Sequence, residues 1–190
     1  MKKEIIMASG NKGKIKEAEE ILEGFKIIPI KELGINIDVE EDKDTFEENA
    51  VKKAQEISKH LKGKMCLSDD SGIEIEYLDG FPGVFTKRWH VGTDRERNLE
   101  IIKKLKGVEK SKRKVTFTTA IALAEGENVY TGVAKIDGYI SQNVRGDNGF
   151  GFDEIFELEN GKTLAELTVE EKNEISARKK ALEIIKSKLK

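Results

Sequence analysis

One cysteine, two histidines and two glutamines are all that 190 residues contain of those types. The single cysteine, Cys66, rules out an intrachain disulfide framework, and its place inside an apolar run makes it a reduced packing residue. His60 and His90 stand apart and no H-E-x-x-H spacing occurs, so zinc chemistry has no support. Long hydrophobic runs are missing too. After Met1-Lys2-Lys3 the apolar segment Ile5-Ile6-Met7-Ala8 is too short for a signal h-region or a membrane span, so no membrane contact is expected and the expected address is the cytoplasm. Neither charge dominates. With 34 Lys+Arg against 36 Asp+Glu the net charge is −2, which provides no global field for a polyanion. Nucleic acid is therefore not an expected partner, and any phosphate must be held locally. The scarcity of glutamine beside abundant Lys and Glu is a weak compositional mark of a heat-adapted source.

What is present is a folded chain with a highly charged surface: hydrophobic and charged residues each make up 37%, and the apolar ones come in periodic runs. The length suits one domain over residues 1–190, or two lobes sharing a sheet. Ile5 to Ser9 reads as a buried strand, followed by the loop Gly10-Asn11-Lys12-Gly13 and a helix with Ile15, Ala18 and Leu22 on one face. A strand from Lys26 to Ile30 leads to the acidic loop Asp38 to Asp42. Thr45-x-x-Glu48 then caps a helix with the stripe Phe46, Ala50, Ala54, Ile57 and Leu61. Met65 to Ser68 and Ile73 to Tyr77 read as strands with Asp69-Asp70-Ser71-Gly72 as a turn between them. Thr93-x-x-Glu96 caps a helix carrying Leu99, Ile102 and Leu105. Val115 to Ala124 and Val129 to Ile136 form a hairpin, Glu154 to Leu158 is a short strand, and a final helix runs from the cap Thr168-x-x-Glu171 to about Lys188. Alternation in the first half and hairpins in the second predict an α/β fold with a mixed sheet.

Four segments carry chemistry. Ser9-Gly10-Asn11-Lys12-Gly13-Lys14 offers free backbone N–H groups, a helix N-terminus and lysines, the parts that hold a phosphate. It lacks the P-loop spacing, and a plain strand-to-helix turn with solvated lysines fits it equally well. Asp69-Asp70 and the loop around Glu40-Glu41 each follow an apolar run, so their carboxylates could meet on one cation; oxygen-only ligands favour Mg2+ or Mn2+. Taken singly, each is also ordinary turn or surface chemistry. Arg145 to Asp153 places Phe150 and Phe152 on a glycine-rich backbone that could stack a base or pack on the core. In the last helix Arg178 interrupts the stripe Ile175, Leu182, Ile185 and Leu189. A guanidinium there needs an anion or acceptor unless its head reaches water, and Lys172 and Ser176 beside it favour a site.

Taken in order, Ser9-Gly10-Asn11-x-x-Lys14, Ser68-Asp69-Asp70-Ser71-Gly72, Gly149-Phe150-Gly151-Phe152-Asp153 and Glu171-Lys172-x-x-Ile175-Ser176-x-Arg178 resemble the inosine triphosphate pyrophosphatase family. The resemblance spans nearly the whole chain. It implies a long mixed twisted sheet with flanking helices, two lobes around a central cleft, and a homodimer. It implies hydrolysis of dITP, ITP and XTP to the monophosphate and pyrophosphate. Ser9, Gly10, Asn11 and Lys14 would bind the triphosphate, with Lys53 and Lys87 assisting, and Ser71 would contact the substrate. Glu40 and Asp70 would hold Mg2+, for which Mn2+ could substitute, with Glu41 and Asp69 close behind. Asp70 would also orient or deprotonate the attacking water. Phe150 would stack on the purine, Gly151 and Phe152 would also bind the substrate, and Asp153, Lys172 and Arg178 would read the base edge. An arginine, which only donates, accepts a 6-keto base and clashes with a 6-amino one.

The family pattern has histidine before that arginine, where this chain has Ala177, and the missing imidazole is expected to weaken base recognition. The alternatives are a septum-associated pyrophosphatase of pyrimidine nucleotides, which the Ser176-x-Arg178 segment disfavours, and a nucleotide-binding module with little turnover.

Overall fold

The computed structural model describes residues 2–189. Ile5, Ile6 and Met7 are buried on both sides, as a parallel strand between two neighbours must be. That strand, β1 (Lys3–Met7), pairs in parallel with β2 (Phe25–Pro29), Ile5 opposite Ile27, and with β3 (Met65–Ile75), Ile5 opposite Met65. Parallel neighbours need crossovers. Helix α1 (Lys12–Ile21) connects β1 to β2, and α2 (Phe46–Ser58) lies between β2 and β3. The remaining strands are β4 (Phe81–Pro82), β5 (Lys114–Glu125), β6 (Asn128–Ile140) and β7 (Phe156–Glu157). The remaining helices are α3 (Asp94–Lys104), α4 (Val169–Ile175) and α5 (Ala177–Lys188). The sheet runs β2-β1-β3-β5-β6-β7 with β4 on β3; the β3–β4 and β6–β7 pairs are antiparallel, so the sheet is mixed, as the alternation of elements predicts.

The chain packs as two units. One holds the segment ending at Ser71, Thr119–Ala134 and the segment from Ala177, and the other holds Gly72–Thr118 and Lys135–Ser176. In the first, Ile5, Met7, Ala18, Leu22, Leu67 and Leu182 share a core, and α1 packs against α5. Gly132 on β6 permits this packing: a Cβ there would lie 2.4 Å from the carbonyl oxygen of Ala181, so the α5 backbone reaches the strand only over a glycine. The second unit has its own core, with Ile73, Ile101, Leu105, Phe152, Ile155 and Phe156. There the buried Arg113 donates to the carbonyls of Ile140 (2.7 Å), Leu105 (3.1 Å) and Ser141 (2.6 Å), which satisfies its guanidinium and ties the end of α3 to the sheet.

Three local expectations change. Asp69-Asp70-Ser71-Gly72 is not a turn: β3 runs straight through it, because Asp69 and Ser71 find partners in Lys14 and Arg178 and strand pairing overrides turn propensity. The last helix breaks at Ser176, whose backbone is extended (φ −54°, ψ 124°). The stripe read as one therefore serves two cores, Ile175 joining the second and Leu182 and Ile185 the first. In α3 the buried face is Asn98 and Ile101, continued by Leu105 at its C-cap, while Leu99 is exposed. A polar residue that donates to the backbone carbonyl of Gly151 occupies a core position that a count of apolar residues skips.

Candidate active site

The strand–loop–helix segment opens the site. Asn11 caps α1, its Oδ1 accepting from the N–H groups of Gly13 (2.9 Å) and Lys14 (3.2 Å), while Ser9 Oγ accepts from Asn11 N–H (3.1 Å). The loop is thus fixed at the positive end of the helix dipole. Lys14 is buried and its ammonium pairs with Asp69. Lys31 belongs beside this loop and was missed by motif reading: its Cε and Nζ lie 2.9 Å from where a Cβ on Gly10 would stand. The signal that finds it is topological. Met7 and Pro29 are paired in parallel, so the residues just past the ends of β1 and β2 emerge side by side.

Behind the loop lies a buried chain of alternating charge. Arg178 donates from Nε to Asp69 Oδ2 (2.8 Å), from Nη1 to Glu17 Oε2 (2.7 Å) and from Nη2 to Ser71 Oγ (3.2 Å). Burial alone would drive Asp69 to take up a proton, but the charges of Arg178 and Lys14 outweigh it and hold the carboxyl well below the usual range. Burial likewise opposes the charge of Arg178, and Asp69 and Glu17 overcome it. The arginine expected to read a base edge is therefore committed to this carboxylate cluster.

Asp70 points to the other face of β3 and has the opposite fate. It is buried, and its Oδ2 has no hydrogen-bond partner. Burial first, and then the charge of Glu41, push its carboxyl up to about 6, against the pull of Lys53. Lys53 pairs with Glu41 and donates to the carbonyl oxygen of Asp69 (3.3 Å). The acidic neighbour acting most strongly on Asp70 is thus Glu41, whereas Glu40, expected as the ligand with Glu41 behind it, is exposed. Among the described residues no three His, Cys, Asp or Glu side chains gather into a closed metal cage. An unpartnered buried carboxylate oxygen under the charge of a second carboxylate is instead an open, oxygen-only donor set. Such oxygens are the donor type that a hard divalent cation such as Mg2+ would take.

The second unit carries the aromatic loop. Asp153 Oδ2 accepts from Phe150 N–H (2.7 Å) and from Lys172 Nζ (2.7 Å), and that ammonium stands 4.8 Å from the centre of the Phe150 ring. Gly149 adopts φ +81°, and a Cβ there would lie 2.1 Å from Asp153 Oδ2, so the carboxylate folds back onto the loop only over a glycine. Phe150 is half-buried, while Phe152, expected at the substrate, is a core residue. Phe150, Gly151, Asp153 and Lys172 are brought together here; Ser9, Gly10, Asn11, Lys14, Asp69, Ser71 and Arg178 form the cluster of the first unit, with Lys53, Glu41 and Asp70 beside them on α2, its preceding loop and β3. Lys87 is exposed. Cys66 is fully buried and burial pushes its thiol up to about 12, the inert packing residue expected.

An α/β sheet that ends a strand in a capped, lysine-flanked loop and sets paired carboxylates beside it defines a class of protein equipped for an anionic, oxygen-rich ligand. Within that class the chain belongs to the Ham1 family, whose model matches residues 5–188. It is 43% identical to the dITP/XTP pyrophosphatase of Bacillus subtilis (strain 168), over 95% of this chain and 93% of the relative. It is 42% identical to the dITP/XTP pyrophosphatase of Clostridium perfringens (strain 13 / Type A), over 99% and 98%. The Ham1 protein of Staphylococcus aureus superposes with a TM-score of 0.87 at 34% identity, covering 98% of both chains.

Proposed function

We propose that this chain hydrolyses non-standard purine nucleoside triphosphates, dITP, ITP and XTP, to the monophosphate and pyrophosphate. The substrate class follows from the dITP/XTP pyrophosphatases that it matches over nearly its whole length. These relatives favour it over the pyrimidine alternative. The observation that carries the chemistry is Asp70: a buried carboxylate oxygen with no partner, beside a loop and lysines built to hold phosphate.

In this reading Ser9, Gly10, Asn11 and the start of α1 receive phosphate oxygens through N–H and hydroxyl groups, and Lys14, Lys31 and Lys53 neutralise them. Lys14 and Lys53 are held by Asp69 and Glu41, which aligns their ammonium groups beside the loop. Asp70 orients the attacking water and accepts its proton. Mg2+, held by Asp70 and Glu41, would offset the charge that builds on the phosphorus under attack. Phe150 meets the purine face, and Lys172 and Asp153 meet its edge. We also propose a cytoplasmic homodimer, as the family resemblance implies. No described helix is long and apolar enough to cross a membrane.

A panel of nucleoside triphosphates tests the reading. dITP, ITP and XTP should be consumed well ahead of ATP, CTP and UTP, with deoxyribose and ribose forms alike; preference for ATP would sink it. The metal assignment has its own test. Glu41→Gln should raise the half-saturating Mg2+ concentration by roughly tenfold, the worth of one contact to a charged group, and Glu40→Gln by much less. A titration of turnover against Mg2+ in both variants decides between the two glutamates, and the reverse order would return the ligand role to Glu40.

A further inference from the structure

Helix α3 lies outside every motif that led to the family, yet two of its residues reach the loop that carries Phe150. Asn98 is buried, and its Nδ2 donates to the carbonyl oxygen of Gly151 (2.9 Å) and lies 3.4 Å from Glu154 Oε2. Both neighbours are acceptors, which fixes which end of the amide faces them. Asp94, one turn earlier on the same face, accepts from Gly151 N–H through Oδ2 (3.2 Å). The donor and the acceptor of one glycine are both held by one helix.

The consequence falls on the residue before that glycine. The N–H of Gly151 belongs to the peptide plane that follows the Cα of Phe150, and Asp94 holds it. The N–H of Phe150 belongs to the plane that precedes that Cα, and Asp153 holds it at 2.7 Å. With both flanking planes fixed, so are the backbone dihedrals of Phe150 and the direction in which its ring leaves the chain. Glycines at 149 and 151, with φ of +81° and +66°, would otherwise leave this segment loose. The helix is a firm support. Thr93 and Glu96 close a reciprocal capping box at its start, and Ile101 and Leu105 are fully buried at its other end.

We propose that Asp94 and Asn98 are positioning residues for base recognition: they hold Phe150 in the orientation that receives the purine, and so set nucleotide affinity without touching the nucleotide. This rests on the reading that Phe150 meets the base. Removing either clamp should raise KM for dITP by roughly five- to tenfold, about one hydrogen bond's worth, while kcat stays within about twofold.

The test compares Asp94→Ala, Asp94→Asn, Asn98→Ala and Phe150→Ala. Asp94 is exposed, so its variants keep the fold even where Asn98→Ala does not. In Asp94→Ala the KM for dITP should rise, the affinity for inorganic tripolyphosphate, which has no base, should stay unchanged in calorimetry, and amide hydrogen exchange across residues 149–153 should quicken. Asp94→Asn, which retains an acceptor oxygen, should restore KM. An unchanged KM in Asp94→Ala, with or without faster exchange, overturns the clamp, as does an equal loss of tripolyphosphate affinity. An unchanged KM in Phe150→Ala separately overturns the assignment of Phe150 to the base.

Discussion

Asp70→Asn is expected to lose at least two orders of magnitude in turnover and at the same time to unfold at a higher temperature. The first effect is the scale of removing a positioned acid–base group. The second follows from where the carboxyl sits. Its pKa is raised from 3.8 to about 6 in the folded protein, by burial and then by Glu41. Below about pH 4 both folded and unfolded states hold the proton. Between about pH 4 and pH 6 only the folded state does, so this group's contribution to stability falls as pH rises through that window. Above it the ionised carboxylate costs the fold on the order of 3 kcal/mol, which asparagine does not incur. Scanning calorimetry without metal should therefore show the variant melting several degrees higher at pH 7.5, with the gap closing near pH 4. Wild-type turnover in the variant would remove Asp70 from the mechanism, and equal melting temperatures at both pH values would show that it is not a desolvated carboxylate.

Arg178→Ala is expected to act on stability before it acts on selectivity. The substitution leaves Asp69 and Glu17 without the guanidinium they share, and breaking one side of a buried ion pair costs about 3–5 kcal/mol. Asp69 has the opposite sign to Asp70. Its carboxyl is depressed in the folded state, so its stabilising contribution is present above the unfolded pKa and is lost as pH falls through the folded one. The deficit of Arg178→Ala should then shrink in acid, and a second substitution, Asp69→Asn, should recover part of it. Urea unfolding of the single and double variants measures both. A cost below about 1 kcal/mol for the single variant, the range of a surface pair, would mean the cluster is not what holds Arg178.

These two residues also show what a sequence can disclose. That Arg178 on an apolar stripe needs an anion follows from elementary energetics, and the anions are there; which anions they are depends on β3, α1 and α5 coming together in one unit. Asp69 and Asp70 are adjacent letters with the same chemistry. Strand alternation sends one to a pair of cations and leaves the other without a partner, and the turn-like Asp-Asp-Ser-Gly hides the strand that does this. The capping boxes at Thr93 and Thr168 were legible because both halves lie within four residues. Lys31, Glu41 and Asn98 were not, since their roles depend on strand register or on a helix face that carries a polar residue inward. Ala177 is the reverse case. Its departure from the family pattern predicts a lost contact to the base, yet the residue is buried at 2% exposure, so Ala177→His would have to displace packed neighbours rather than simply restore a bond.

The central claim is the bond that breaks. A phosphorus-31 NMR time course of purified protein with dITP and Mg2+ reads it directly. The account predicts that the triphosphate signals give way to dIMP and pyrophosphate in equal amounts, with no dIDP and no orthophosphate at early times. Early appearance of dIDP with orthophosphate would contradict it.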